Sequence, residues 1–487
     1  MSAATRAFVM VWDGMRPDLI SSDLTPNLWR LTQTGARCQD SHAVFPTVTR
    51  INSASIATGS QPGGHGILGN SLYVPAVNAR EAINMGDHRS LEALATLRGG
   101  RAVLRESLAD RVGEKGGKTV VVSTGSPGSA WLCHPRMLER AEAGDVLLHP
   151  AFHSPTDAFG PVTKTLGPIP EATIPNRAQN AWFTRMIVEH VLPDLDPTLL
   201  VFWHTDPDKT QHHRGFGSRD GMDSIRDADT HLGQVIAALE AQGELTETVI
   251  AVASDHGYVT IDPQVTPDGP DGPFLVAGLG DALAAGEIVL APNGGSLYVS
   301  VPSGDQGLVE RIVVALAAWK HGGPVLSKPV NGAVRPGTLP LEAVGITGDL
   351  APDLICALDW DDTMNQYGLE GRSAGFDRGI IASHGGISSW EINNTLVLSG
   401  AGVKEGLSHQ LPAGNIDLAP TLAELLGVGP LPEADGRVLS EALEGGPHPR
   451  EVKVSRETFY ADLGSKRQGI QISTIGSTRY LDLGWTE

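Results

Sequence analysis

The sequence predicts an α/β protein built on a central, mostly parallel sheet, with a smaller α+β cap inserted into it. Three observations carry that prediction. Short apolar runs rich in β-branched residues recur as AFVMVW (7–12), KTVVVS (118–123), LLVFWH (199–204), TVIAVAS (248–254) and NTLVLS (394–399). Runs that are apolar throughout are strands buried on both faces, and amphipathic stretches such as LTPNLWRLTQTG and SIRDADTHLGQVIAALEAQG supply covering helices. Next, Asp13 follows the first run, Asp208 follows LLVFWH, and Asp255 with His256 follows TVIAVAS. Open sheets of this class bind ligands beyond the carboxyl ends of their strands, so these groups are expected along one edge. Finally, the texture changes between 272 and 350, where EIVLAPNGGSLYVSV reads as a hairpin, GLVERIVVALAAWKHGG as a helix, and proline-rich turns follow.

The expected organisation is therefore a core in two parts, 1–271 and 351–487, with 272–350 as the inserted cap. The chain is expected to re-enter the core near DLICALDWDD, and 71–117 and 148–180 read as long loops or lids. At 487 residues and 51.3 kDa the chain is too long for one simple core. A hydrophobic content of 41%, with 58 glycines and 33 prolines, excludes disordered and fibrous classes and fits a loop-rich enzyme. The net charge of -20 and pI near 5.2 argue against a nucleic-acid polymer as partner, because its phosphates would meet net repulsion. Cys38, Cys133 and Cys356 are too widely spaced for a CxxC motif or a disulfide framework, which favours a reducing compartment. The opening MSAATRAFVMVWDGMRPDL reads as a first strand rather than a signal peptide, and no run approaches the roughly 20 apolar residues of a membrane helix. The expectation is a cytoplasmic protein with no membrane partner, and a homodimer is allowed.

Chemistry concentrates in a few positions. Thr49, in FPTVTRINSASIAT, falls at the start of a segment with helical spacing, where a threonine is either a cap or a group facing an anion at the helix N-terminus. Asn52 lies about one turn on, so its amide is expected to face the same site and donate to a phosphoryl oxygen. In WHTDPDKTQHHRG, His212 follows Asp208 by four residues, which places both side chains on one face of a helix as two ligands of one metal require. Asp255-His256-Gly257 and Asp13-Gly14 each put a ligand beside a turn-forming glycine, and Ser383-His384-Gly385-Gly386 adds a histidine in a glycine-rich turn.

In this order, Asp, Thr, Asp-x-x-x-His, Asp-His-Gly and His-Gly resemble the alkaline phosphatase superfamily. The nearest branch is that of nucleotide pyrophosphatases/phosphodiesterases, which is related to phosphonoacetate hydrolase. The resemblance runs from residue 7 to about 425 and includes the DGMRP, PxxT, PxxHGIxxN and DHG elements. It implies a three-layer α/β/α fold and two Zn2+ ions, with Mn2+ or another divalent ion as substitute. One ion would be held by Asp208, His212 and His384, the other by Asp13, Asp255 and His256, with Thr49 bridging to the second as nucleophile. It implies that Asn52 steadies the transferred group and that His65 and Asn70 shape the loop near the metals. The activity implied is hydrolysis of phosphoric esters through a phosphothreonine-type intermediate.

Two zinc ions, three aspartates and a threonine alkoxide nearly cancel in charge, which suits a phosphodiester better than a dianionic monoester. Nucleotide-cleaving relatives place an aromatic residue after the nucleophile, whereas Arg50 stands there in this chain. Arg50, Lys209 and Arg214 are candidate contacts for a carboxylate or second phosphate of a small substrate. A phosphonoacetate-type C–P hydrolase and a broad phosphomonoesterase are the alternatives. A binding module without activity is the reading from outside the enzymes, and seven chemically competent positions argue against it. No GxSxG elbow, complete dinucleotide fingerprint or C-x-P-x-R sulfatase element occurs.

Overall fold

The computed structural model describes residues 4–376 and 379–487. Its main sheet contains β1 (Arg6–Trp12), β2 (Gly35–His42), β3 (Thr119–Ser123), β4 (Val146–His149), β5 (Phe152–Ser154), β6 (Leu199–His204), β7 (Thr248–Ala253), β8 (Leu396–Gly400) and β9 (Leu407–Gly414). The strand order is β9-β2-β8-β7-β1-β6-β3-β4-β5. β1 lies between β6 and β7 and runs parallel to both, while β3 is parallel to β6 and β4, and β9 to β2. β8 and β5 run against their neighbours.

The apolar runs are strands because both of their faces are covered. Ala7, Val9 and Val11 of β1 enter one core, while Phe8, Met10 and Trp12 enter another on the opposite face. The first core is closed by helices Leu108–Glu114, Pro127–Leu132 and Asn415–Leu425, the second by Pro26–Thr34, Arg177–Met186 and Arg219–Ala241. The result is a three-layer α/β/α arrangement, as expected. Each buried Val, Ile or Leu contributes on the order of 1.5–3 kcal/mol, so the central strands hold the layers together before any polar contact is counted. Register then fixes the working edge, because Trp12 lies opposite His204 and Val11 opposite Ala253. The residues that follow these strands emerge side by side.

The predicted hairpin is present as Val289–Asn293 and Ser296–Ser300, turning through Gly294-Gly295 with Asn293 opposite Ser296. Helix Gln306–Ala318 packs on the same small sheet. DLICALDWDD does not return to the main core, however. Its strand Leu354–Leu358 sits in the middle of the inserted five-stranded sheet, antiparallel to Ser296–Ser300 and Gly322–Ser327. Five buried residues without alternation need cover on both faces, and the inserted sheet provides it as well as the main one does. The C-terminal strands Ser455–Leu463, Lys466–Ile475 and Thr478–Thr486 form a meander that also joins this region. There the Gln468 carboxamide accepts from the Val325 N–H at 2.7 Å and donates to the Gly337 carbonyl at 2.7 Å.

The two long loops also differ from expectation. Segment 71–117 carries helices His88–Leu97 and Leu108–Glu114, and 148–180 carries β5 and helix Phe159–Leu166. Ser107 and Asp110 form a capping box that starts the second of these helices, a local signal three residues apart. All three cysteines are buried and unpaired. No helix among the described residues is long and apolar enough to cross a membrane.

Candidate metal centre

The carboxyl edge of the main sheet gathers three aspartates. Asp13 directly follows β1, and its N–H donates to the His204 carbonyl at 3.1 Å where β6 ends. The Asp208 N–H donates to the Asp13 carbonyl at 2.9 Å. Gly14 has φ +72, and a Cβ there would come within 2.9 Å of the Tyr258 ring, so both the turn and the packing call for glycine. Gly257 serves differently from the expected turn former: a Cβ would meet the Trp390 carbonyl at 2.1 Å, so close packing is what requires it.

Each carboxylate divides its duties. Asp13 Oδ2 accepts from Trp203 Nε1 at 2.9 Å, and Asp255 Oδ1 accepts from the Gly14 and His256 N–H groups, both at 3.1 Å. Asp13 Oδ1, Asp208 Oδ1, Asp255 Oδ2 and His256 Nε2 are buried and accept or donate nothing. Buried polar atoms are nearly always paired, so four orphans in one place imply an absent positive partner.

The three histidines aim the same nitrogen inward. His212 Nδ1 donates to the Ala382 carbonyl at 2.7 Å, His256 Nδ1 to Gly257 at 2.9 Å, and His384 Nδ1 to Thr47 at 2.7 Å. Backbone partners of this kind fix the tautomer and leave Nε2 as a free lone pair, the usual preparation of a metal ligand. His212 Nε2 lies 3.1 Å and His384 Nε2 3.3 Å from Asp208 Oδ1, while His256 Nε2 lies 3.2 Å from Asp255 Oδ2 and 3.4 Å from Asp13 Oδ1. Asp208 and His212 begin and end one turn of α2 (Asp208–Arg214; α1 is Thr49–Thr58), the predicted one-face spacing. The two sets touch, because the His256 and His384 rings stack at 3.4 Å. His256 therefore lies within ligand range of Asp208 and His384 as well as of Asp13 and Asp255. We assign it with the latter pair, because its Nε2 points between their carboxylates.

The electrostatics agree. Burial, then the charges of Asp255 and Asp208, push Asp13 well above the ordinary carboxylate range. Burial opposes ionisation of Asp208 too, but His212 and His384 outweigh it and hold its pKa well below the usual value. Burial and then His256 push His384 down to about 4, keeping it neutral as a ligand must be. Three carboxylates and three imidazoles offering O and N donors at this separation fit two divalent cations.

Thr49 is the first residue of α1, and its side chain does not cap it. Among the described residues its hydroxyl has no hydrogen-bond partner. The Thr47 carbonyl holds His384, and Thr47 Oγ1 accepts from the Gly385 N–H at 2.9 Å, which locks the approach to Thr49 against the metal ligands. A cavity of about 140 Å³ opens here, lined by Val48, Asn70, His212, Gly294, Ser383 and His384.

A family described as type I phosphodiesterase/nucleotide pyrophosphatase matches residues 7–363, most of the chain and every ligand above except His384. The chain belongs to the type I phosphodiesterase/nucleotide pyrophosphatase family. Venom phosphodiesterase 2 of Crotalus adamanteus is 32% identical over 80 residues, 16% of this chain and 10% of that protein. Venom phosphodiesterase of Macrovipera lebetinus is 35% identical over 68 residues, 14% of this chain and 8% of that protein. The matched segments are thus a small part of the curated relatives. Murine ectonucleotide pyrophosphatase/phosphodiesterase 5 shares the fold, with TM-score 0.62 at 17% identity over 88% of this chain and 96% of that one. An inactive variant of that protein, solved in complex with AMP, gives TM-score 0.60 at 16% identity with the same coverage.

In this phosphodiesterase-family chain, several expected substrate contacts move. Asn52 does not face the site. Its Oδ1 accepts from the Val44 N–H and from Asn415 Nδ2, both at 2.9 Å, and its Nδ2 donates to the Val44 and Val48 carbonyls at 3.2 and 3.1 Å. Asn415, at the start of α3 (Asn415–Leu425), also donates to the Asp255 carbonyl at 2.8 Å. Asn52 is therefore a positioning residue that ties α1 to the Asp255 loop. Asn70 takes the place expected of it: its Oδ1 accepts from the Arg50 N–H at 3.0 Å, and it lines the cavity. His65 is saturated by Ser55 and the Ile67 N–H, and burial, then Arg98 and Arg105, push it down to about 3. Arg214 is exposed and paired with Asp220 at 3.5 Å, and Lys209 is half-buried next to Asp208 in the chain. Arg50 differs from both. Burial lowers its pKa while Asp13, Asp208 and Asp255 raise it, so its charge stands in the field of all three ligands.

Proposed function

We propose that the chain hydrolyses phosphodiesters through a covalent phosphothreonine intermediate on Thr49, with two divalent cations held by the two ligand sets. Zinc suits the mixed imidazole and carboxylate donors, and Mn2+ is an acceptable substitute. The observation that carries this reading is the convergence of four unpartnered buried ligand atoms, with the uncapped helix-start Thr49 two residues after Thr47, whose carbonyl holds His384.

When bound, the cations supply the positive charge that favours a deprotonated Thr49 and offsets charge on the leaving oxygen. Thr49 sits at the N-terminus of α1, where free N–H groups and the helix dipole favour an anionic phosphoryl group. Its Oγ1 attacks phosphorus in line as the P–O bond to the leaving group breaks. The Thr49 proton passes to solvent, and the leaving oxygen takes one up. Asn70, held through Oδ1, presents its amide nitrogen to the transferred group. Water then attacks the phosphothreonine, breaks its Oγ1–P bond and returns a proton to Thr49. Net, one diester and one water give a monoester and an alcohol.

The test is bis-p-nitrophenyl phosphate turnover by metal-depleted protein reloaded with Zn2+, Mn2+ or Mg2+, alongside Thr49→Ala. Removing a nucleophile of this kind is expected to lower kcat by about 10³-fold or more while two equivalents of metal stay bound. Full activity in Thr49→Ala, or full activity with fewer than two equivalents of metal, would sink the reading.

A further inference from the structure

We propose that Arg50 selects substrates carrying a second negative charge next to the phosphorus that Thr49 attacks. This rests on the hydrolase reading above. Arg50 follows Thr49 directly, and its guanidinium lies against Gly86, where a Cβ would meet Nη2 at 2.6 Å and Nε at 3.0 Å. Its Nε is buried and has no acceptor.

The contrast with other arginines is what makes this an empty receptor rather than a structural cation. Arg16 gives Nε and Nη2 to Asp18 and Nη1 to the Glu370 carbonyl. Arg437 gives Nη1 and Nη2 to Glu441. Arg37, Arg105, Arg111 and Arg335 also have an unpartnered Nε, yet each commits a terminal nitrogen to Pro17, Glu433, Glu114 or Gln306. Among the described residues, Arg50 commits none. A guanidinium whose Nε is buried without an acceptor, and whose terminal nitrogens are given to no acceptor among the described residues, matches a carboxylate or phosphate oxygen pair.

Charge and space point the same way. Two divalent cations, three aspartates and the Thr49 alkoxide sum to about zero, so Arg50 brings the site to one net positive charge and makes it more favourable to a dianion than the bimetal core would be alone. The 140 Å³ cavity at the ligands, tied to Arg50 through Asn70, which lines it and accepts from the Arg50 N–H, has room for a phosphoryl group and a small substituent, well under the roughly 300 Å³ and more of sites that enclose larger ligands. The second charge is either the extra ionised oxygen of a phosphoric monoester or a carboxylate on the non-leaving arm of a diester.

Four nitrophenyl substrates with a common leaving group separate these sources: bis-p-nitrophenyl phosphate, ethyl p-nitrophenyl phosphate, carboxymethyl p-nitrophenyl phosphate and p-nitrophenyl phosphate. Each is assayed on metal-loaded wild type, Arg50→Gln, Arg50→Lys and Gly86→Ala. Wild type is expected to favour the carboxymethyl diester over the ethyl diester, or the monoester over both. Arg50→Gln should lower kcat/KM for the favoured dianion about 10- to 100-fold, with under threefold change for the two monoanions. Arg50→Lys should restore part of the difference, and Gly86→Ala, which displaces the guanidinium, should lose part of it. Inorganic phosphate as inhibitor gives a second readout, its Ki rising in Arg50→Gln. Equal losses for monoanions and dianions, or a wild type that prefers the ethyl diester, would overturn the inference while leaving the hydrolase reading intact. Turnover of none of the four by metal-loaded wild type would remove that reading and this one together.

Discussion

At the scale of single residues, the two asparagines near Thr49 separate structure from chemistry. Asn52 spends both oxygen and nitrogen on Val44, Val48 and Asn415, so Asn52→Ala leaves buried backbone and amide groups unsatisfied. The expected result is a loss of about 1–3 kcal/mol in stability, read by thermal denaturation, and weaker metal retention through Asp255. Asn70→Ala should do the opposite, lowering kcat by about 10²-fold with the melting temperature unchanged, as for loss of one donor to a developing charge. A melting shift for Asn70→Ala with no kinetic effect would reverse the assignment. The candidate metal ligands were legible because Asp13, Asp208 and Asp255-His256 follow buried strands and because their order with Thr49, His212 and His384 resembles a known superfamily, although each position alone also fits an ordinary turn or loop. Asn70 was legible only through the resemblance, as a residue shaping the loop near the metals, because it comes to the cavity through the loop that follows Pro62–His65, and helical spacing pointed to Asn52 as the donor instead. Spacing gives the correct face only if that face is not the one packed, and α1 packs Asn52 against α3.

At the scale of elements, the strands that could be read were those apolar on both sides. β2 and β9, GARCQDSH and LSHQLPAG, hid because they mix polar residues with half-buried positions near the sheet edge. The end of β6 carries a second lesson, a polar network beneath α2. His204 Nε2 lies 3.1 Å from His231 Nδ1 of helix Arg219–Ala241, and His204 Nδ1 donates to the Asp206 carbonyl at 3.0 Å. Burial pushes His204 down to about 4, and burial and then His204 push His231 to about 3. Both are therefore neutral in the fold, whereas in the unfolded chain they take up protons below about 6.5. The unfolded state then binds more protons, so stability is full above that value and falls as pH drops toward 4, by about 1.4 kcal/mol per pH unit per histidine. Calorimetric melting from pH 7.5 to 5 should show the decline, and His231→Gln should flatten it. An unchanged slope in His231→Gln would mean that the pair does not govern acid stability.

At the scale of the whole molecule, Asp13, Asp208, Asp255 and His256 precede the inserted sheet and His384 follows it, so one centre joins distant parts of the chain. Metal removal should for that reason lower global stability as well as activity, since it leaves three buried carboxylates facing one another. A chelator is expected to depress the melting temperature and Zn2+ to restore it, and a melting curve indifferent to chelation would argue against bound cations in the native protein. The layered core was foreseeable from periodicity, whereas the boundary of the insertion was not. An apolar strand such as Leu354–Leu358 reads alike in either sheet, and only pairing decides its owner. The position of β8 has a temporal meaning. It slots between β7 and β2, antiparallel to both, although it is made some 140 residues after the first and 350 after the second. Until Leu396–Gly400 leaves the ribosome, β2 has no place in the sheet and β7 shows a bare edge to every neighbouring nascent chain. Synthesis therefore passes through a long interval in which most of the protein exists but its sheet cannot close, and the strand that bridges the gap follows the last candidate metal ligand by only twelve residues.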